Sequence, residues 1–288
     1  MNTSFVVAER FDAIAALPDA RGTAPQAARF ATAALRGSAA CWFVVAALGQ
    51  LLFASYVVIF YGRAAVQGHP EIWNKVLQAG YVPGDTVGNL VLASHLLFGA
   101  AITLAGTLQP VPQIRRRWPR FHRWNGRFFL VASAIAASGG LIIIWTRATG
   151  GDLSQHIAIS INALFILFCV GAAWQRAVTR RFDAHREWAL RLWLAANGGW
   201  FFRIGLMAWI VANRGPAGFD PKTFTGPFIT FLSFAQYLLP LAVLQLYFVA
   251  QRRGTALHWV ATSVLCAATL LTLGGTAAAA ALLWLPHL

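Results

Sequence analysis

Charged residues are scarce in this chain. Of its 288 residues, 11% are charged and 58% are hydrophobic, whereas a soluble globular domain carries about 25% charged residues. A water-soluble protein this poor in charge could not cover its surface. The length suits one polytopic bundle, because a helix that crosses the bilayer needs roughly 20 residues. We therefore predict an all-α membrane protein that lies in the lipid bilayer.

Acidic residues are the rarest charged type, with nine Asp and Glu against 23 Lys and Arg and a net charge of +14. Such an excess of positive charge can indicate nucleic-acid binding. Here, however, the arginines form short clusters between apolar runs, as the positive-inside rule predicts for cytoplasmic loops. We therefore expect no nucleic-acid partner.

The chain also lacks cysteine motifs and a signal peptide. Cys41, Cys169 and Cys266 are far apart, and no Cys-x-x-Cys pattern exists, so neither a zinc site nor a thiol redox motif is indicated. Residues 1–38 contain no apolar segment of the kind that a cleavable signal peptide requires. We expect these residues to form a partly disordered cytoplasmic tail, and residues 39–288 to form the membrane domain.

Seven apolar runs divide the membrane domain. They cover about residues 41–61, 87–109, 125–146, 156–176, 188–211, 227–250 and 258–284. Asp85 precedes the second run, and Ser154 and Asp183 lie near the starts of the fourth and fifth, as helix N-caps often do. The pattern predicts a bundle of about seven transmembrane helices, in which spans two to five form a four-helix core over residues 87–211.

The orientation follows from the Lys and Arg residues of the loops. Seventeen of them lie on the side of the N-terminus and only five on the other side. Because cytoplasmic loops carry the excess of Lys and Arg, we predict a cytoplasmic N-terminus and a C-terminus on the outer face.

Four histidines fall one to each of spans two to five: His95, His122, His156 and His185. The alternating direction of the spans places His95 and His156 in the outer half of the membrane, and His122 and His185 at the inner end. Each pair therefore comes from alternate helices of the four-helix core. Two neutral imidazoles on facing helices can bind haem iron from both sides. The pattern thus predicts two b haems, with these histidines as iron ligands.

A small residue follows each of these histidines by four positions, on the same face of its helix. The four residues are Gly99, Gly126, Ser160 and Ala189. Small side chains at these places would let the helix backbones approach the faces of a porphyrin.

Arg203 is the one arginine that belongs to neither side of the membrane. It follows His185 by 18 residues, which is five helical turns and about 27 Å of rise, so it lies on the same helix face in the outer half. A charge there marks a functional site, and a propionate of the outer haem is its natural partner. Arg123, Arg127 and Arg186 flank the inner pair, where they are expected to contact propionates, lipid phosphates, or nothing specific.

Residues 87–211 resemble a bacterial membrane-protein family known only as domain of unknown function 2306. The matching sequence motifs are Ser94-His95, His122-Arg123-x-x-Gly126-Arg127, His185-Arg186-x-Trp188-x-x-Arg191 and Phe202-Arg203. This resemblance implies a bacterial inner (plasma) membrane location but no activity.

The spacing of the four histidines is similar to that in the cytochrome b561 superfamily. That resemblance implies electron transfer across the membrane through two b haems, with a quinone or a redox protein as partner. The sequence has seven predicted spans where that superfamily commonly has six, and no ascorbate-site residues are recognisable.

Other functions stay open at this point. A haem-free transporter or lipid-binding scaffold would use Arg203 to contact an anionic ligand in a central cavity, and the histidines for polar packing. A non-haem metal site and a membrane enzyme that acts on lipid headgroups are further alternatives. The sequence does not settle whether the chain is an enzyme, although a membrane oxidoreductase would be consistent with the haem hypothesis.

Overall fold

A computed structural model describes residues 26–147 and 151–288 of the chain. These residues form nine α-helices and no β-strand, apart from one isolated bridge between Asp220 and Thr225. The helices are α1 (Gln26–Val66), α2 (Thr86–Leu108), α3 (Pro112–Arg117), α4 (Pro119–Thr146), α5 (Leu153–Val178), α6 (Phe182–Ala196), α7 (Gly198–Asn213), α8 (Pro227–Arg252) and α9 (Thr255–Ala279).

Within the described residues, six helical segments are long and apolar enough to cross a membrane, and the bent pair α6–α7 provides a seventh. The prediction of an all-α, multi-pass membrane protein with about seven spans is therefore confirmed. Spans one to four are α1, α2, α4 and α5, and spans six and seven are α8 and α9. The direction of insertion stays a prediction, and "inner end" below means the end of the bundle at which α1 begins.

The first span begins earlier than the apolar run that predicted it. Helix α1 has 41 residues and is therefore about 60 Å long, twice the roughly 30 Å thickness of the hydrocarbon core. Of the predicted tail, residues 1–25 lie outside the described residues, and residues 26–38 are the first turns of α1. The membrane domain thus continues into a helix that extends past the inner face.

Side-chain caps form at the starts of two of the other α-helices, α2 and α5. The carboxylate of Asp85 accepts from the Gly88 amide at 2.9 Å and caps α2, as predicted. Asp152 caps α5 by accepting from the amides of Ser154 and Gln155, so the predicted cap at Ser154 is displaced by two residues. Helix α6 begins at Phe182 without a side-chain cap, and the predicted capping role of Asp183 is wrong.

Consecutive spans pack against each other through most of the bundle. Helix α2 packs on α4, α4 on α5, and α5 on α6, so the four histidine-bearing helices lie side by side. Helix α1 packs on α2 and α9, while α7 packs on α8 and α9. The fifth span therefore contributes α6 to the histidine-bearing group, and its outer half, α7, to the opposite side of the bundle.

The fifth span is broken at Asn197, where α6 and α7 meet at 50°. Asn197 donates to Trp193 O at 2.8 Å and accepts from the Thr103 hydroxyl at 3.3 Å. Asn162 donates to Ala195 O at 3.2 Å. A β-carbon on Gly198 would lie 3.1 Å from the amide nitrogen of Asn162, so glycine permits this close approach. A side chain of the neighbouring helix α5 thus satisfies a backbone carbonyl at the break, which no water could do inside a membrane.

Candidate histidine and arginine site

His185 lies in the first turns of α6, at the inner end of the bundle. Its Nδ1 donates to Ala173 O on α5 at 2.9 Å. In a neutral imidazole this hydrogen bond assigns the proton to Nδ1 and leaves Nε2 with a free lone pair. Metal-binding histidines are commonly oriented in this way, by a backbone carbonyl on the other ring nitrogen. The geometry therefore leaves Nε2 of His185 able to bind a metal.

His122 lies in the second turn of α4, within electrostatic range of His185. Its Nδ1 is buried and has no hydrogen-bond partner among the described residues. A buried polar atom without a partner requires an explanation, such as water or a bound group. The structure therefore brings the two predicted inner histidines near each other, on α4 and α6.

His95 lies on α2 and points away from the lipid-exposed side of that helix. Its Nδ1 donates to Ala136 O on α4 at 2.9 Å, as His185 does to Ala173. A β-carbon on Gly140 would lie 3.2 Å from Cε1 of His95, so the imidazole rests directly on the backbone of α4. Nε2 of His95 is therefore also left with its lone pair.

His156 lies in the first turns of α5, and its ring contacts Trp145 at 5.5 Å between centroids. The same tryptophan donates to the Ser160 hydroxyl at 3.0 Å, which confirms that His156 and Ser160 share one face of α5. Trp145 is five residues beyond Gly140, about 7.5 Å along α4. Both outer histidines thus contact α4, His95 near Gly140 and His156 at Trp145, and the contacts of the described residues do not join their rings directly.

An opening borders α2 next to His95. A β-carbon on Gly99, one turn after His95, would have nothing within 4 Å. Gly99 follows the lipid-exposed Leu90 by nine residues, which is two and a half turns, so it faces the opposite, inward side of the helix. The structure therefore leaves free space on the His95 face of α2.

Arg203 lies on α7 and has no acidic partner within 4 Å among the described residues. Its Nη1 donates to Gly199 O at 2.8 Å, and its Cζ lies 5.3 Å from the centroid of the Phe53 ring on α1. His95 and Tyr56 lie within electrostatic range of the guanidinium. The structure thus brings Arg203 near His95, with most of its five N–H donors uncommitted. The prediction that Arg203 shares a helix face with His185 is wrong, because the break at Asn197 turns α7 by 50° relative to α6.

Tyr56, His95 and Arg203 also lie at one depth in the bundle. Each is nine or ten residues from the outer end of its own helix, which corresponds to about 14–15 Å of rise. Tyr56 is 1% exposed, and its hydroxyl has no partner among the described residues. Polar groups from α1 and α2 thus lie within electrostatic range of Arg203 on α7, in the half of the bundle opposite the start of α1.

The arginines predicted beside the inner histidines are exposed. Arg127 stacks on Trp124 with its Cζ 5.0 Å from the ring centroid, and Arg123 and Arg186 are exposed at the inner end. Arg123 is also within electrostatic range of His122. These residues therefore surround the inner pair from outside rather than forming its walls.

Sequence reasoning missed a buried arginine at the outer end. Arg147 is one of the five Lys and Arg residues that the charge count assigns to the outer side, yet its side chain is 4% exposed and donates at 2.9 Å to Asp85. It also donates to Asn89 and to the carbonyls of Ala79 and Gly80. The Gly88 amide and Arg147 hold the pKa of Asp85 below its usual value. The sequence signal for this burial is that Arg147 directly follows the last residue of its span. Counting loop charges does not use that information.

The described residues contain no group of three or more His, Cys, Asp and Glu side chains arranged for a metal ion. A haem site with two histidine ligands would not need such a group, because the porphyrin supplies the other ligands of the iron. Backbone carbonyls hold the Nδ1 protons of His95 and His185, and Nδ1 of His122 is buried without a partner among the described residues.

Comparison with known proteins found no matching curated protein and no matching solved structure. It did find a family whose model spans the four histidines and Arg203, in agreement with the resemblance seen in the sequence. Residues 92–225 of the chain match the family described as predicted membrane protein (DUF2306).

Proposed function

We propose that this protein is a b-type membrane cytochrome that transfers electrons through two haems, one at each histidine pair. The observation that supports this best is shared by the two pairs. One histidine of each, His95 and His185, donates from Nδ1 to a backbone carbonyl of the next helix at 2.9 Å. This arrangement fixes the ring and the tautomer, and leaves Nε2 for a metal.

Each residue of the proposed sites has a defined task. His122 and His185 would hold the inner haem, and His95 and His156 the outer one. Haem supplies one-electron chemistry at an iron whose potential depends on its ligands and surroundings. Arg203 would place a positive charge beside an outer propionate, and Arg123, Arg127 and Arg186 would do so at the inner end. We place the protein in the bacterial inner membrane with its N-terminus inside, and a quinone or a redox protein as its electron partner.

A difference spectrum tests this function. Protein purified from haem-replete cells should show the Soret and α bands of a b-type haem when the dithionite-reduced spectrum is compared with the oxidised one. The His185→Ala variant should lose about half of this signal, because one of two haems loses a ligand. The matched control is His258→Ala, since His258 lies in the first turn of α9, outside both pairs, and contacts Thr32. Absence of the bands, or an equal loss in the control, would refute the proposal.

A haem-free anion-binding protein is the second candidate, because Arg203 has no acidic partner within the described residues and Gly99 faces free space. The Arg203→Gln variant distinguishes the two. In a cytochrome it keeps both haems, and the midpoint potential of one falls, because a positive charge that stabilises the reduced state has been removed. In a haem-free protein there is no potential to shift, and the variant instead loses binding of an anion.

A further inference from the structure

A groove of about 960 Å³ opens at the inner end of the bundle, where α2 meets α4. The short helix α3 and the first turn of α4 form its sides. Its lining combines apolar and basic residues, namely Leu108, Ile114, Arg117, Trp118, Arg120 and Phe121. This groove is separate from the histidine pairs, which lie on the inward faces of their helices.

The rim of the groove carries uncompensated positive charge. Arg117 and Arg120 line the groove, and Arg115 and Arg116 immediately precede Arg117 on α3. None of them has an acidic partner within 4 Å in the part of the chain that the structure describes. Glu187, an acidic residue of the inner end, is already paired with Arg191 and Arg252. The guanidinium groups around the groove are therefore free to bind a phosphate, which arginine does bidentately.

Exposed aromatic side chains place this groove at the level of the lipid headgroups. Trp118 is 61% exposed, Trp124 69% and Phe121 47%. Tryptophan is enriched at the boundary between headgroups and acyl chains, where one part of the ring is apolar and another polar. A soluble polyanion would not use such an apolar lining. The combination matches an amphiphile with a phosphate at one end and acyl chains at the other.

We propose that this groove binds an anionic phospholipid. Arg117 and Arg120 contact its phosphate, and Leu108, Ile114 and Phe121 contact the upper part of its acyl chains. Clusters of basic residues immediately next to a transmembrane helix favour anionic headgroups, and here an open groove with a largely apolar lining accompanies the cluster. This inference does not depend on haem, because it uses none of the residues of the histidine pairs.

The test titrates the purified full chain in a neutral detergent with phosphatidylglycerol and counts bound lipids by native mass spectrometry. Phosphatidylcholine, which carries no net charge, is the comparison lipid. We expect tight binding of at least one phosphatidylglycerol. The double variant Arg117→Gln/Arg120→Gln should bind it roughly thirtyfold more weakly, from the usual contribution of two basic residues near a headgroup. The matched control is Arg180→Gln/Arg181→Gln, which removes two exposed arginines from the inner loop between α5 and α6 and should change the affinity little.

Three outcomes would overturn the proposal. These are equal affinity for phosphatidylcholine, unchanged affinity in the Arg117→Gln/Arg120→Gln variant, and an equal loss in the control, which would indicate general attraction to a basic surface. If the glutamine variant does not purify as a folded protein, Arg117→Lys/Arg120→Lys replaces it. The lysines keep both charges but cannot make bidentate contacts. This variant should therefore still prefer phosphatidylglycerol, with a several-fold weaker affinity. An unchanged affinity would contradict the role given to the two guanidiniums.

Discussion

Replacing Arg147 by methionine should destabilise the protein by about 3 kcal/mol. The side chain is buried and donates to Ala79 O at 3.2 Å, Gly80 O at 3.0 Å, Asp85 at 2.9 Å and Asn89 at 2.6 Å. Each such hydrogen bond contributes about 0.5–1.5 kcal/mol net, and one to a charged partner about 1.5–3 kcal/mol. Methionine removes all four hydrogen bonds, but it also removes the cost of burying a charge. The expected net loss of stability is therefore about 3 kcal/mol.

The assay is a thermal melt of the purified protein in detergent, followed by circular dichroism at 222 nm. We expect the melting temperature to fall by several degrees in Arg147→Met. The matched control is Arg63→Met, because Arg63 is an exposed arginine at the end of α1 on the same face of the bundle. An equal effect in the two variants, or none in Arg147→Met, would show that the four contacts do not hold the outer ends of α2 and α4 together.

Two further predictions concern stability. The folded state lowers the pKa of Asp85. The stability that the Asp85 carboxylate contributes is therefore complete above its unfolded pKa of about 4 and is lost as the pH falls through the lower folded pKa. Between pH 6 and pH 3 the melting temperature should decline less in Asp85→Asn than in the unmodified chain. A β-carbon on Gly49 would lie 2.8 Å from both Thr276 and Trp200, so Gly49→Ala should lower the stability by about 1–3 kcal/mol. Gly62→Ala on the same helix, with nothing within 4 Å, should not lower it, and equal melting temperatures for the two variants would contradict the packing seen at Gly49.

The number of spans could be predicted because it depends on run length and hydropathy alone. The assignment of one histidine to each of spans two to five followed from the same runs. The break at Asn197 could not be predicted from run length and hydropathy. The pairs Asn197-Gly198 and Gly198-Gly199 are turn signals, but glycine is also frequent inside membrane helices, so the sequence alone does not distinguish a break from a continuous span. The break depends on Asn162 of α5, which reaches Ala195 only after the helices have packed.

The details of the candidate site depended on helix rotation. The sequence indicated that His95 and His185 face inward, but not that each donates to a carbonyl of the neighbouring helix. Those bonds require the angle and depth at which α2 meets α4 and α6 meets α5. The same applies to Arg147, because counting loop charges gives the topology but does not distinguish a solvated arginine from a buried one.

The ratio of haem to protein tests the central claim most directly. The pyridine haemochrome assay, with the protein quantified by amino-acid analysis, gives the number of haems per chain without any assumption about potentials or partners. Two b haems per chain are predicted, with one remaining in His156→Ala and one in His122→Ala. A chain that purifies folded with no haem, or with one haem that His156→Ala leaves unchanged, would contradict the two-haem account.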